Sequence, residues 1–179
     1  MVATAALKRA AWVGGAGLAA SLIVVFAWHG RRPAPGLVRF EPRGVMLQLR
    51  VEEIVEVQVS AGNHQQSFTR SPAGTWSTAG APVPAEIVQR LERGLRFLQV
   101  SAPQRILSPE EYAETPFAAF GLAPPRYSVV VRTAASTPLM IQFGETNPQG
   151  LAQYARLDGS AALLLLPRFV GEPWEALIP

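Results

Sequence analysis

The longest apolar stretch of the chain runs from Ala10 to Trp28 and contains no charged residue. Basic pairs flank it, Lys8-Arg9 before and Arg31-Arg32 after. As a helix, its 19 residues would span about 28 Å, close to the hydrocarbon core of a bilayer. A cleavable signal peptide has a shorter apolar core of about 7 to 15 residues and small residues at its exit, whereas this run ends in the bulky Trp28. The pattern therefore predicts a single uncleaved transmembrane anchor.

Behind the anchor, apolar and polar residues alternate along several short segments, which is the pattern of half-buried strands. The predicted strands cover residues 45–51, 55–59 and 66–70, the surroundings of Trp76, and residues 127–132, 139–143, 153–157 and 160–166. Turn residues separate these segments. Ser71-Pro72-Ala73-Gly74 fits a type I turn, and Asp158-Gly159 favours a two-residue type I′ hairpin.

Three segments carry helical signals. The longest runs from Pro84 to Leu98, where apolar residues recur at three- and four-residue spacing behind an initial proline. A capping-box pattern at residues 108–111 predicts a short second helix, which Pro116 interrupts. Residues 168–177 predict a terminal helical turn that covers an edge of the sheet.

Together these elements predict an α+β fold. It consists mainly of antiparallel sheet with one long and one or two short helices, preceded by a single N-terminal transmembrane helix. The predicted domains are an N-terminal tail (1–9), the transmembrane anchor (10–30), a proline-rich linker (31–44) and the α+β domain (45–179). Strand, hairpin and helix follow one another in both halves of that domain, which suggests an internal duplication of a sheet-plus-helix unit.

Composition argues against several classes of function. The formal charge is +3, but the four basic residues beside the apolar run account for it and leave 12 basic against 13 acidic residues elsewhere. Such a domain lacks the clustered positive charge that nucleic acid binding requires. The chain has no cysteine, one aspartate and two histidines, His29 and His64. We therefore expect neither a metal site nor a cofactor.

Three kinds of function remain. The first is a non-enzymatic accessory or scaffold domain, held at the bilayer for a complex of the cell envelope. The second is a periplasmic ligand-binding module, in which the loop 144–150 forms a rim; a plain connecting loop explains the same residues. The rim residues that would contact a ligand or partner are Glu145, Asn147, Tyr154 and Arg156. The third, a hydrolase using serine, His64 and glutamate, lacks a G-x-S-x-G elbow, so no catalytic residue is assigned and we expect no enzyme.

Short landmarks follow one another along the domain. They are IVEVQV (54–59), GTW (74–76), PAEIV (84–88), LRFL (95–98), FGLAPP (120–125), IQFGE (141–145), YAR (154–156) and LLLLP (163–167). Over residues 45–170 this order resembles the DUF4340 domain family. The resemblance implies a bacterial α+β domain without an assigned activity, anchored by one span in the inner, cytoplasmic membrane and lying in the periplasm. It further implies protein partners in the envelope, which for some relatives belong to a gliding-motility-type ABC transporter system, and it supplies no catalytic residues.

The side of the membrane on which the domain lies can be tested, because two signals disagree. Four arginines lie within residues 31–43 and only Lys8 and Arg9 precede the run, so the positive-inside rule favours a cytoplasmic domain. The family resemblance implies a periplasmic one. We predict that alkaline phosphatase fused to the C-terminus is active and that a fluorescent protein fused there is dark. An inactive phosphatase with a bright fluorescent protein would instead place the domain in the cytoplasm.

Overall fold

The computed structural model describes residues 20–21, 44–46, 49–135 and 137–178. Residues 1–41 and 42–179 form separate units. In the first unit the described residues are Ala20 and Ser21, which are helical and exposed. No helix among the described residues is long and apolar enough to cross a bilayer. The rest of the predicted anchor lies outside the described residues.

The described part of the second unit contains a nine-stranded sheet in which all neighbouring strands are antiparallel. In chain order the strands are β1 (Ile54–Ala61), β2 (His64–Arg70), β3 (Trp76–Thr78), β4 (Ala81–Pro82), β5 (Arg105–Leu107), β6 (Tyr127–Thr133), β7 (Leu139–Thr146), β8 (Ala152–Leu157) and β9 (Leu163–Pro167). Their order across the sheet is β4-β3-β2-β1-β6-β7-β8-β9-β5. The predicted α+β class with mainly antiparallel sheet is therefore confirmed.

The centre of the sheet is the pair β1–β6, which joins two meanders of four strands each. Val57 lies opposite Val131 and Val59 opposite Val129 in this pair. β1 to β4 extend to one side and β6 to β9 to the other, with β5 added beyond β9. The alternating valines of both strands point to one face, because successive side chains of a strand point to opposite faces. On that face they are buried.

Each meander is followed by an α-helix. α1 (Ala85–Val100) follows β4 and α2 (Arg168–Glu175) follows β9. Both begin after an N-cap proline, Pro84 and Pro167, whose backbone is not helical. A proline has no N–H group, so it leaves no backbone donor unsatisfied at the start of the helix. The predicted long helix is thus confirmed, and it extends to Val100.

The hydrophobic core lies between one face of the sheet and the two helices. The apolar stripe of α1 and the inner side of α2 meet the valines and aromatic residues of the strands there. Its fully buried members include Val57, Phe68, Leu91, Leu95, Leu98, Val129, Ile141, Phe143, Leu166, Val170 and Trp174. Burial of this apolar surface is the main source of stability for such a fold.

The opposite face of the sheet is polar near its centre and aromatic towards β8. At the centre, Arg132 donates to Glu56 at 3.0 Å and the hydroxyls of Ser60 and Ser128 lie 2.8 Å apart. Towards β8, the segment between β5 and β6 packs against the sheet through its aromatic rings. This face is therefore partly covered by a chain segment that forms no α-helix.

That segment corrects one prediction, because no α-helix follows Ser108. The Glu111 carboxylate does accept the backbone N–H of Ser108 at 2.8 Å, so half of the capping box forms. The chain then continues as turns and as a 3-10 helix over Phe117–Phe120. Pro116 removes a backbone donor that a helix would need, and the Tyr112 hydroxyl donates to the carbonyl of Ala161, which holds the segment on the sheet.

Three further predictions differ in detail from the structure. Residues 45–46 form a turn and Val51–Glu53 a 3-10 helix, so the described part of segment 45–51 is not a strand. At Asp158-Gly159 only Gly159 has positive φ, whereas a type I′ turn needs two positive φ angles. β8 ends at Leu157 and β9 begins at Leu163, so a five-residue connection replaces the predicted hairpin. Finally, α2 packs into the core rather than over an edge.

The packing of α2 on α1 can be tested at Gly94. A Cβ added there would lie 2.7 Å from the Trp174 ring, and Trp174 is fully buried. In an uncrowded helix Gly→Ala stabilises by about 1 kcal/mol, whereas overpacking costs about 1–3 kcal/mol. We predict that Gly94→Ala lowers the free energy of unfolding, measured by urea titration with circular dichroism. Gln89→Ala, on the exposed side of the same helix, is the control; a stabilised Gly94→Ala variant would contradict the contact.

Candidate functional site

The predicted rim begins with Glu145 and Asn147, at the end of the β7–β8 hairpin. The Asn147 side-chain oxygen accepts the backbone N–H groups of Leu151 and Ala152, both at 3.0 Å. Its amide nitrogen donates to Gln149 at 2.9 Å. Asn147 therefore shapes the turn with both ends of its side chain. Glu145 is exposed and accepts from Arg126 at 3.2 Å.

The other two predicted rim residues, Tyr154 and Arg156, lie on β8 and point away from the core. The Tyr154 ring lies 4.9 Å from that of Phe120, measured between centroids. The Arg156 guanidinium lies over the Phe117 ring at 4.7 Å and donates twice to the side-chain oxygen of Gln142, at 3.2 and 2.8 Å. Both side chains are half-buried and hold the aromatic segment on the sheet.

The structure brings three of the four predicted residues to the segment 117–121. Tyr154 and Arg156 contact its rings, and Glu145 lies against its last residue, since a Cβ at Gly121 would come within 2.7 Å of the Glu145 backbone nitrogen. Asn147 has its contacts within the hairpin loop instead. The intramolecular contacts of all four residues favour a structural role over an open ligand rim. Among the described residues, no group of three or more His, Cys, Asp or Glu side chains could hold a metal ion.

A buried polar network links the sheet to α2, and sequence reasoning missed it. Gln153 is 0% exposed. Its side-chain oxygen accepts the Tyr127 hydroxyl at 2.9 Å, and its amide donates to the carbonyl of Gly144 at 2.9 Å. The available signal was a glutamine at a core-facing position of β8, in the same alternation as Ala155. A buried amide needs such partners because an unmade hydrogen bond is costly.

The network continues into α2 through an ion pair. Arg168, at the start of the helix, lies 2.5 Å from the Glu175 carboxylate at its end, and a second nitrogen of Arg168 donates to Gln153 at 3.3 Å. The hydrogen bond to Glu175 raises the pKa of Arg168. Burial, and after it the nearby Glu175 carboxylate, raises the pKa of the Tyr127 phenol well above its usual range. These contacts hold α2 in one position and orientation on the sheet.

On its outer side α2 forms a groove with α1. The groove has a volume of about 330 Å³ and is lined by Arg90, Arg93, Phe97, Phe169, Glu172, Pro173 and Ala176. Phe97 and Phe169 meet edge to face at 5.0 Å between ring centroids. Phe169 nevertheless remains 46% exposed, and Val100, one turn after Phe97, is 49% exposed. The groove therefore presents the aromatic surface of Phe169 to solvent.

Charges on the helix layer are mostly paired within the chain. Glu86 pairs with Arg90 at 3.1 Å and Glu92 with Arg96 at 3.5 Å, and Arg90 also donates to the carbonyl of Ala176 at 3.0 Å. Two exposed charged residues on opposite walls of the groove are exceptions. Within the part of the chain that the structure describes, neither Arg93 nor Glu172 has an ion-pair partner. The groove therefore offers one exposed charge of each sign outside these ion pairs, although Glu172 also acts at longer range on Arg168, whose pKa it helps to raise.

A second depression, of about 470 Å³, lies between the start of β1 and the turn 71–74. Arg70 is the basic residue of its lining, and its guanidinium donates to the carbonyl of Val51 at 3.0 Å. The same guanidinium lies 5.5 Å from the centroid of the Trp76 ring. These contacts occupy Arg70 in holding the turn to the sheet.

A scan against models of protein families found no match to this chain, and searches of curated proteins and of solved structures found none either. Membership of the DUF4340 family therefore stays a prediction from the sequence landmarks. Function has to be argued from the geometry of the groove and of the buried network.

The buried network predicts a dependence of stability on pH. Because the pKa of Tyr127 is raised on folding, the unfolded chain loses this proton first, near the usual value of 10.0. Stability from this group is thus full below about pH 10 and decreases above it, by at most about 1.4 kcal/mol per pH unit. We predict that Tyr127→Phe is less stable by about 1 kcal/mol at neutral pH.

The measurement is the difference in unfolding free energy between the wild type and Tyr127→Phe, from urea titrations at a series of pH values. We expect this difference to stay constant in neutral solution and to shrink in alkaline solution. A matched control is Tyr154→Phe, which removes the same hydroxyl group from a tyrosine that is only half-buried. A Tyr127 difference that grew in alkaline solution would contradict the burial argument.

Proposed function

We propose that this chain is a membrane-anchored, non-enzymatic accessory domain of a bacterial envelope complex, of the DUF4340 type. In this proposal residues 10–28 form the anchor and the α+β domain lies in the periplasm, where it acts by contact with other proteins. The apolar run and its flanking basic pairs support the anchor. A gliding-motility-type ABC transporter system is the setting that the family resemblance suggests.

The observation that carries the proposal is the groove between α1 and α2. Large apolar side chains that remain exposed, beside charged residues, are typical of protein interaction surfaces. Phe169, in the lining of the groove, is such a residue and packs edge to face on Phe97, and Val100, one turn after Phe97 on α1, is also exposed. The network around Gln153 holds the α2 wall of the groove in place, so the surface is presented in a preformed shape. A preformed surface loses less conformational entropy on binding.

The predicted duplication is also part of the proposal. Two meanders that pair through their first strands, each followed by a helix that begins after proline, support descent from one sheet-plus-helix unit. On this interpretation the groove lies between the two equivalent helices. The interaction surface would then be a product of the duplication, since a single unit has only one helix.

The ligand-binding alternative receives less support from the geometry. Its four rim residues are engaged with the turn, with Arg126, with Gln142 or with the aromatic segment. A ligand at this rim would have to displace those contacts. We therefore prefer the interaction domain.

A photo-crosslinking experiment in cells tests the proposal. p-Benzoylphenylalanine replaces Phe169, which keeps an aromatic ring at the groove, and in a control chain it replaces Gln65, an exposed residue of β2. We predict covalent adducts of defined mass from position 169 after irradiation, and none from position 65 above background. Mass spectrometry then identifies the captured chain. Equal, diffuse adducts from both positions would contradict a specific interaction surface in the groove.

A further inference from the structure

We propose that the partner in the groove is a second copy of this chain, in an isologous contact where Arg93 of each copy pairs with Glu172 of the other. The inference rests on the proposed function only in taking the groove as an interaction surface. It adds the identity of the partner and the charges that select it.

The charge pattern of the helix layer supports a second copy. Three ion pairs, Glu86–Arg90, Glu92–Arg96 and Arg168–Glu175, are closed within the chain. Arg93 and Glu172, on opposite walls, have no such partner among the residues that the structure describes. Around a two-fold axis the same patch meets itself, so a residue that contacts another across the interface does so twice. A patch with one exposed positive and one exposed negative charge is therefore complementary to its own copy.

The apolar part of the groove has the same property. Phe169 protrudes at the end where it meets Phe97, with the exposed Val100 one turn beyond Phe97, and Ala176 lies at the other end, against Arg90. In a two-fold contact the protruding side chains of one copy can pack on the lining of the other, and the reverse contact forms at the same time. Anchoring in one bilayer would favour this contact, because confinement raises the effective concentration of the copies.

Charge exchange tests the pairing. The full chain contains no cysteine, so one cysteine added at its N-terminus carries either a donor or an acceptor fluorophore. Labelled chains are reconstituted in lipid vesicles at low protein density, and energy transfer is measured. We expect transfer between wild-type chains, and association weaker by about tenfold for Arg93→Glu alone and for Glu172→Arg alone, since each creates two like-charge contacts.

The decisive sample mixes donor-labelled Arg93→Glu with acceptor-labelled Glu172→Arg. In that mixed dimer every cross-copy contact again joins opposite charges, so we expect energy transfer to return to at least the wild-type level. An ion pair within one chain cannot produce this restoration. Arg96→Glu is the control, because it reverses an exposed charge of α1 outside the groove and also breaks the ion pair with Glu92. Its energy transfer should equal that of the wild type, which would show that reversing a charge of α1 does not by itself weaken association. Circular dichroism verifies that each variant is folded.

Two results would overturn the inference: absence of energy transfer between wild-type chains, or a mixed sample that stays as weak as the single variants. The photo-crosslinking result separates this failure from failure of the proposed function. A Phe169 adduct that contains a different protein, without energy transfer between copies, removes the second copy and keeps the interaction domain. Absence of both adduct and energy transfer removes both.

Discussion

The position of α2 depends on a close contact that only a residue without a side chain permits. A Cβ on Gly171 would lie 2.0 Å from the Gln153 side-chain oxygen and 2.5 Å from the Tyr127 hydroxyl oxygen. Because Gly171 has no side chain, the backbone of α2 can come close to the sheet at this point. The Tyr127 hydroxyl oxygen lies 3.2 Å from the Gly171 carbonyl oxygen. Trp174 then reaches Gly94 on α1, and Phe169 is left on the outside beside Phe97. The groove is thus a consequence of how closely the helix lies on β6 and β8.

The two faces of the sheet are held by different kinds of interaction. The helix side is apolar and contains the polar network only where α2 meets β8. On the other side, ion pairs, a serine pair and tilted aromatic contacts lie beside a few buried apolar residues such as Leu163. The segment 108–122 is held there by Tyr154, Arg156 and the close passage of Phe120 over Gly144. An added Cβ on Gly144 would lie 2.1 Å from the Phe120 carbonyl oxygen. Three of the four predicted rim residues thus contact this covering segment, and their role in binding a ligand stays a prediction.

Helices and strands whose apolar residues recur with the period of the element could be predicted from the sequence. The alternating valines of β1 and the leucine stripe of α1 express which face is buried, so both were recognised from the sequence. Short sequence motifs predicted local structure less reliably. The capping contact at Ser108 forms, yet no α-helix follows it, because of Pro116 and of the hydrogen bond from Tyr112 to the carbonyl of Ala161. The groove and the network could not be predicted, because they join residues distant in sequence. Tyr127 and Gln153 are 26 positions apart, and no local pattern shows that Arg93 and Glu172 face one groove.

The strand order also constrains how the domain can assemble. β1 needs β6 as its neighbour, and β5, which precedes the second meander in the chain, pairs with β9 at the end of that meander. Neither meander can therefore complete its sheet before most of the domain is available. Pairings between such distant segments fold slowly because a long loop must close before they form. Until β6 has been made, one edge of β1 has no neighbouring strand, and an unpaired strand edge is a place where another chain can pair.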